Sequence, residues 1–186
     1  RISFYSYAHV PWIKGVGQRG FKEDDLPKDA EKRALYETGK ALLSELGYVE
    51  IGMDHFGLPT DELYKSSISG KLHRNFMGYT AQKTSLMIGL GMSAISDSWN
   101  AFAQNVKSIK EYQSLVNAGE IPVFRGHILS QEDTTIRQHI LNLMCRFETQ
   151  WNSEDENPIF NSSLLEEMEA HELIQQFPNR LKILDA

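Results

Sequence analysis

Apolar and polar positions alternate between two regimes along the chain. Residues 2–8, ISFYSYA, are aromatic and β-branched enough to predict a strand. From 28 to 46, Leu35, Leu42, Leu43 and Leu46 fall on one helical stripe, with Asp29 and Glu31 in the first turn and Gly47 as the stop. Tyr48 to His55 predicts a second strand, and 61–72 a helix that Thr60 can cap. Leu86 to Ile95 is nearly all apolar, as in a strand buried on both faces of a parallel sheet. A short helix over Ser108–Asn117 follows. Strand, helix, strand, helix, strand at this spacing predicts parallel βαβ units, an α/β fold built as a partial barrel.

Beyond Arg125 the pattern becomes helical. Ser130 and Asp133 have capping-box spacing, and Ile136, Ile140, Leu143, Met144 and Phe147 form a 3.6-period face. Ser163 and Glu166 repeat the capping signal before Leu165, Met168 and Leu173, after a polar linker from Asn152 to Asn157. The expected division is therefore 1–125 for the barrel part and 126–186 for a small helical module. The closing LKILDA reads as a strand just beginning, and the opening Arg1 runs at once into a strand. Both ends thus read as cut from a longer protein.

Net charge changes the picture by exclusion. At −6, without a Lys/Arg block, the chain offers no surface for nucleic acid or anionic membrane. No apolar run reaches the length of a membrane span, and one cysteine, Cys145, allows neither an internal disulfide nor a cysteine-built metal site. A reducing, cytoplasmic setting is expected.

The polar clusters are Asp54-His55 and His73-Arg74-Asn75. Successive strand side chains point to opposite faces, so Asp54 and His55 share a pocket only if the strand ends between them. A metal set of His9, Asp54, His55 and His73 lacks helical ligand spacing. Gly89-Leu90-Gly91 inside an apolar run marks a bulge, a packing need, or the close approach of a ligand or another backbone. Strand ends in barrel folds carry the site, which here gathers Tyr7-Ala8-His9, Asp54-His55-Phe56 and Ala94-Ile95-Ser96-Asp97. Small and apolar groups beside a few polar ones suit a large organic ligand better than hydrolysis.

The runs YSYAHVPW, GYVEIGMDHFGLPTDEL, GKLHRNFMGYT, GLGMSAISD and RGHILSQEDTTIRQHILNLMCRFE, taken together and in order, resemble the oxygen-independent coproporphyrinogen III oxidases, radical S-adenosylmethionine enzymes of haem biosynthesis. The resemblance fades after Trp151. It implies the C-terminal half of a partial (β/α)6 barrel, with a 4Fe-4S cluster and S-adenosylmethionine in the whole enzyme. It implies oxidative decarboxylation of two propionates of coproporphyrinogen III, giving protoporphyrinogen IX by a 5′-deoxyadenosyl radical, with an electron donor as partner. By the same resemblance Ala8, Ile95 and Phe76 line the S-adenosylmethionine site, and Met77 stands where some members have glutamine. Arg19, Arg74 and His55 are candidates on the substrate side, because four propionates call for cations. The family's Cys-x-x-x-Cys-x-x-Cys motif is missing from these residues, so the piece alone is expected to be inactive. The alternative is a haem- or porphyrin-binding chaperone of the same superfamily. Such chaperones usually carry a Glu-Ile-Ser-Asn-Phe type run where this chain has GMDHF. A cut sheet edge at residues 2–8 would also pair with other copies, which light scattering would register as self-association.

Overall fold

The computed structural model describes residues 1–13, 17, 20–152 and 162–184. The chain divides into two compact units, 1–68 and 69–186.

In the first unit, β1 (Ile2–Ser3), α1 (Asp29–Glu45), β2 (Val49–Gly52), β3 (His55–Gly57) and α2 (Glu62–Ile68) follow in order. The sheet order is β1-β3-β2, and both pairings are antiparallel. Because β3 lies between them, β1 and β2 run in the same direction. Ile51, Phe56 and Leu63 form the buried core. The Phe4 ring stacks on Tyr36 at 5.6 Å and occupies the space that a Cβ on Gly39 would need. The Asp61 carboxylate accepts the Leu63 N–H at 2.7 Å at the start of α2 and pairs with Arg1 at 2.9 Å. Asp61, rather than Thr60, thus supplies the side-chain acceptor at this helix start.

The second unit begins with the hairpin β4 (His73–Asn75) and β5 (Gly78–Thr80). Next come β6 (Leu86–Met87), β7 (Ile95–Ser98), β8 (Ala101–Asn105), α3 (Ile109–Asn117) and β9 (Val123–Ile128). Strands β6 to β9 form one antiparallel sheet in chain order. Then α4 (Gln131–Arg146), β10 (Glu148–Gln150), α5 (Ser162–Ala170), β11 (Ile174–Phe177) and β12 (Arg180–Ile183) complete the unit. Their sheet has the order β10-β12-β11 and packs Leu165, Ile174 and Leu181 against Leu143, Trp151 and Met168. The Ser130–Asp133 capping box forms as its spacing predicts. Ser108 caps α3, its side chain accepting the Glu111 N–H.

Several expectations are corrected. Helices and strands both occur, as the α/β reading requires, but every strand pairing among the described residues is antiparallel, not parallel. The cause is loop length. Two residues join β2 to β3, β4 to β5 and β7 to β8, whereas a parallel crossover takes a dozen or more. Met53 and Asp54 both have positive φ, 40° and 62°, the geometry of a two-residue hairpin turn. The strand expected from Tyr48 to His55 is therefore broken by a turn. The strand expected over 2–8 is limited to its first two residues.

The run from Leu86 to Ile95 is not a buried strand either. Leu86, Ile88 and Leu90 are all more than half exposed, and regular structure stops at Met87. Here the glycines do what close backbone approach demands. A Cβ on Gly89 would lie 2.7–2.9 Å from backbone atoms of Ile95. The buried Asn105 amide donates to the carbonyls of Gly89 at 3.1 Å and Gly91 at 2.9 Å. Backbone cannot swing aside as a side-chain tip can, so Gly89→Ala should cost about 1–3 kcal/mol. A urea titration checks this; an unchanged midpoint would show that the approach relaxes freely.

The leucine stripe of α1 is exposed at Leu35, Leu42 and Leu46, and no residue of that helix is buried. Residue 125 lies inside β9, whereas the described units part after Ile68. The segment 126–186 carries a three-stranded sheet besides its helices. Most of the linker expected from Asn152 to Asn157 lies outside the described residues. No helix among them is long and apolar enough to cross a membrane.

Candidate functional site

In the first unit, Phe4 to Tyr7 edge a cavity of about 850 Å³ that Tyr36, Lys32 and Asp54 also line. The β2–β3 turn separates the acid from the imidazole. Asp54 reaches the cavity, while the His55 Nδ1 lies 2.7 Å from the Met53 carbonyl and its ring meets Tyr5 edge-on at 6.3 Å. The strand does end before Asp54, but the turn gives the two side chains different neighbours, so no acid–imidazole dyad forms. Burial, with the charges of Glu50 and Asp54 adding to it, raises the pKa of the Tyr36 phenol and keeps it protonated. Ala8 lies in the irregular segment after Tyr7, and His9 beyond it stacks on Phe21 at 5.0 Å and pairs with Glu23. Arg19 lies outside the described residues.

In the second unit, the β4–β5 turn presents Phe76 and Met77. The Asn75 side chain accepts the Met77 N–H at 2.9 Å and fixes that turn. Phe76 remains 53% exposed and meets Phe102 edge-on at 5.1 Å. Phe102 faces Asp97 across the β7–β8 ladder, and Gln104 faces Ile95. Strand alternation then puts Ile95, Asp97, Phe102 and Gln104 on one face. The register thus brings Ile95 onto the sheet face whose Phe102 touches Phe76.

A cation anchors that same face. Arg137 on α4 grips the Asp97 carboxylate with both contacts at 2.9 Å and donates to the carbonyls of Ser98 and Trp99 at 3.2 Å. Its guanidinium lies 4.7 Å from the Trp99 ring centre and 4.9 Å from that of Phe102. Charge, hydrogen bonds and two ring faces converge on one side chain. Arg137, Trp99 and Phe102 were not singled out from the sequence, and Asp97 was read only as one of the strand-end groups. The only local hint was Asp97 at the end of an apolar run.

Arg74 lies over the Tyr79 ring at 4.9 Å, and its Nη1 is buried without a hydrogen-bond partner. Tyr79 in turn donates its hydroxyl to the Met144 carbonyl at 2.7 Å, tying the hairpin to α4. His73 is buried; desolvation first, then the charges of Lys83 and Arg137, hold its pKa below the ordinary imidazole value. Among the described residues no group of three His, Cys, Asp or Glu side chains could hold a metal ion. The Phe76–Phe102–Ile95 arrangement offers half-exposed aromatic and aliphatic surface, which is suited to binding a ring system.

No family model matches the chain. It is 42% identical over 147 residues to the oxygen-independent coproporphyrinogen III oxidase of Synechocystis, a match covering 79% of this chain and 31% of that protein. Its Escherichia coli counterpart is 40% identical over 159 residues, 82% of this chain and 35% of the relative. A solved structure of coproporphyrinogen III oxidase from Escherichia coli, described as a radical SAM enzyme, superimposes with a TM-score of 0.81 at 34% identity. It covers 95% of this chain and 42% of that one. The chain thus spans about a third of the length of the curated relatives it matches. The resemblance carried by the motifs is borne out: these residues are homologous to part of the oxygen-independent coproporphyrinogen III oxidases.

Proposed function

We propose that this chain, a homologue of one segment of the oxygen-independent coproporphyrinogen III oxidases, works as that segment in an enzyme of haem biosynthesis. The reaction is oxidative decarboxylation of two propionate side chains of coproporphyrinogen III to vinyl groups, giving protoporphyrinogen IX. An electron donor would be a further partner, and a cytoplasmic setting suits the reaction. The observation that carries this reading is the joint agreement of sequence and fold over most of the chain.

The two cofactors fare differently against the residues present. A 4Fe-4S cluster is held by cysteine thiolates, and this chain has one cysteine, buried in α4, with its thiol pKa pushed up by that burial. These residues do not fit the cluster, so its ligands would have to come from outside them. S-adenosylmethionine, when bound, supplies the 5′-deoxyadenosyl group for hydrogen abstraction. The half-exposed Phe76 ring, braced by Phe102, fits stacking on such a ligand, with Ile95 on the same sheet face. Ala8, in the first unit, stays a candidate of its own on the S-adenosylmethionine side. His55 and Arg74 stay in the proposal as substrate-side groups.

The role proposed for Phe76 separates from folding. Its ring is half in water, so Phe76→Ala should cost less than about 1 kcal/mol of stability. Lost alignment should nevertheless lower turnover by about tenfold to a hundredfold in the longer, cluster-bearing protein. Anaerobic conversion of coproporphyrinogen by that protein, set beside its urea midpoint, is the test. Wild-type turnover in a folded, cluster-loaded Phe76→Ala protein would remove Phe76 from the site.

A further inference from the structure

We infer that the second unit carries an anion site separate from the Phe76 face: a cavity for a small organic molecule with two or more carboxylate or phosphate groups. The cavity measures about 500 Å³ and is walled by residues 70–73, residues 81–83 and the C-terminal half of α4. That volume is within the range of small-molecule sites.

Its charge is one-sided. Lys71, Lys83 and Arg146 line it, and no aspartate or glutamate does. The chain as a whole has 25 acids against 19 Lys and Arg, so composition does not account for this. None of the three cations makes an ion pair among the described residues. In contrast Lys28, Arg33, Lys40, Lys65, Arg137 and Arg180 each have a carboxylate partner. Lys83 is placed rather than loose: its ammonium lies 4.3 Å from the Trp99 ring centre.

The rest of the wall leaves that positive charge intact. His73 and Cys145 are buried, and burial favours the neutral form of each. Arg74, whose Nη1 has no acceptor, adds its charge to the surroundings of Cys145. Gln82, Gln138 and Asn142 supply neutral amides, and Gln138 donates to the Asn142 side chain at 2.9 Å. Three unpaired cations around a concave surface with amide donors match the oxygens of a compact polyanion. A flat nucleic-acid track would need a longer positive surface than this.

Calorimetric titration of the chain at low ionic strength decides the matter, with citrate as the carboxylate probe and pyrophosphate as the phosphate probe. Saturable binding of either is expected, and the tighter of the two names the headgroup chemistry. Lys83→Gln/Arg146→Gln should weaken it at least about tenfold, because two of three charge-assisted contacts are lost. Lys107→Gln/Lys110→Gln removes the same charge elsewhere and should change affinity by less than about twofold. The substituted side chains are exposed, and unchanged thermal midpoints would verify folding. Equal losses in both double variants, or no saturable binding of either probe below about 10 mM, would overturn the site.

Discussion

Anaerobic treatment of the 186-residue chain with iron, sulfide and reductant should leave it without a 4Fe-4S cluster, and coproporphyrinogen should pass through it unchanged. The argument is one of donor chemistry. Cluster irons take thiolate sulfur, and Cys145 is the single cysteine. It is 7% exposed on α4, and desolvation outweighs the nearby charges of Arg74 and Arg146, so the thiol keeps its proton. Histidine cannot make up the deficit, since no three His, Cys, Asp or Glu side chains converge among the described residues. Iron and acid-labile sulfide analysis of the desalted chain reads the outcome. A stoichiometric, chromatographically stable cluster on this chain would overturn the donor argument. Turnover without a cluster would overturn the proposed reaction class itself.

Replacing Arg137 by alanine should be among the most damaging single changes to the second unit. The arginine and Asp97 side chains are 15% and 9% exposed, so the pair is largely desolvated. Removing the cation leaves the carboxylate with little water and no partner, and frees two carbonyls from their donor. Breaking such a pair from one side costs about 3–5 kcal/mol. Replacing both members by apolar residues of similar volume, Arg137→Met with Asp97→Leu, should recover much of that loss, because no charge is then stranded. Urea unfolding of the two variants measures both values. If Arg137→Ala loses less than about 1 kcal/mol, water reaches Asp97 and the pair behaves as a surface bridge. The double variant also has a functional reading. Phe102 would lose the guanidinium on its face, so a stable protein with weakened ligand stacking at Phe76 would assign Arg137 a positioning role.

Much of the helical structure was legible in the chain itself, because its signals are local. The Ser130–Asp133 box and the acids opening α1 act within one turn, where their spacing already defines the contact. The long motifs likewise identified the homology without any coordinates. The Gly89-Leu90-Gly91 step left a bulge, a packing need and close approach open, and only the fold showed the backbone of Ile95 against Gly89. Strand direction was another matter. An apolar run looks the same in parallel and antiparallel sheets, and what decided here was two residues of turn, Met53 and Asp54, in the left-handed region. The same turn gave Asp54 and His55 separate surroundings. The Arg137–Asp97 pair spans 40 positions, and in sequence Arg137 is one more polar residue on an amphipathic helix. Desolvation turned it into an anchor, and desolvation depends on what packs around a residue, which only the tertiary structure decides.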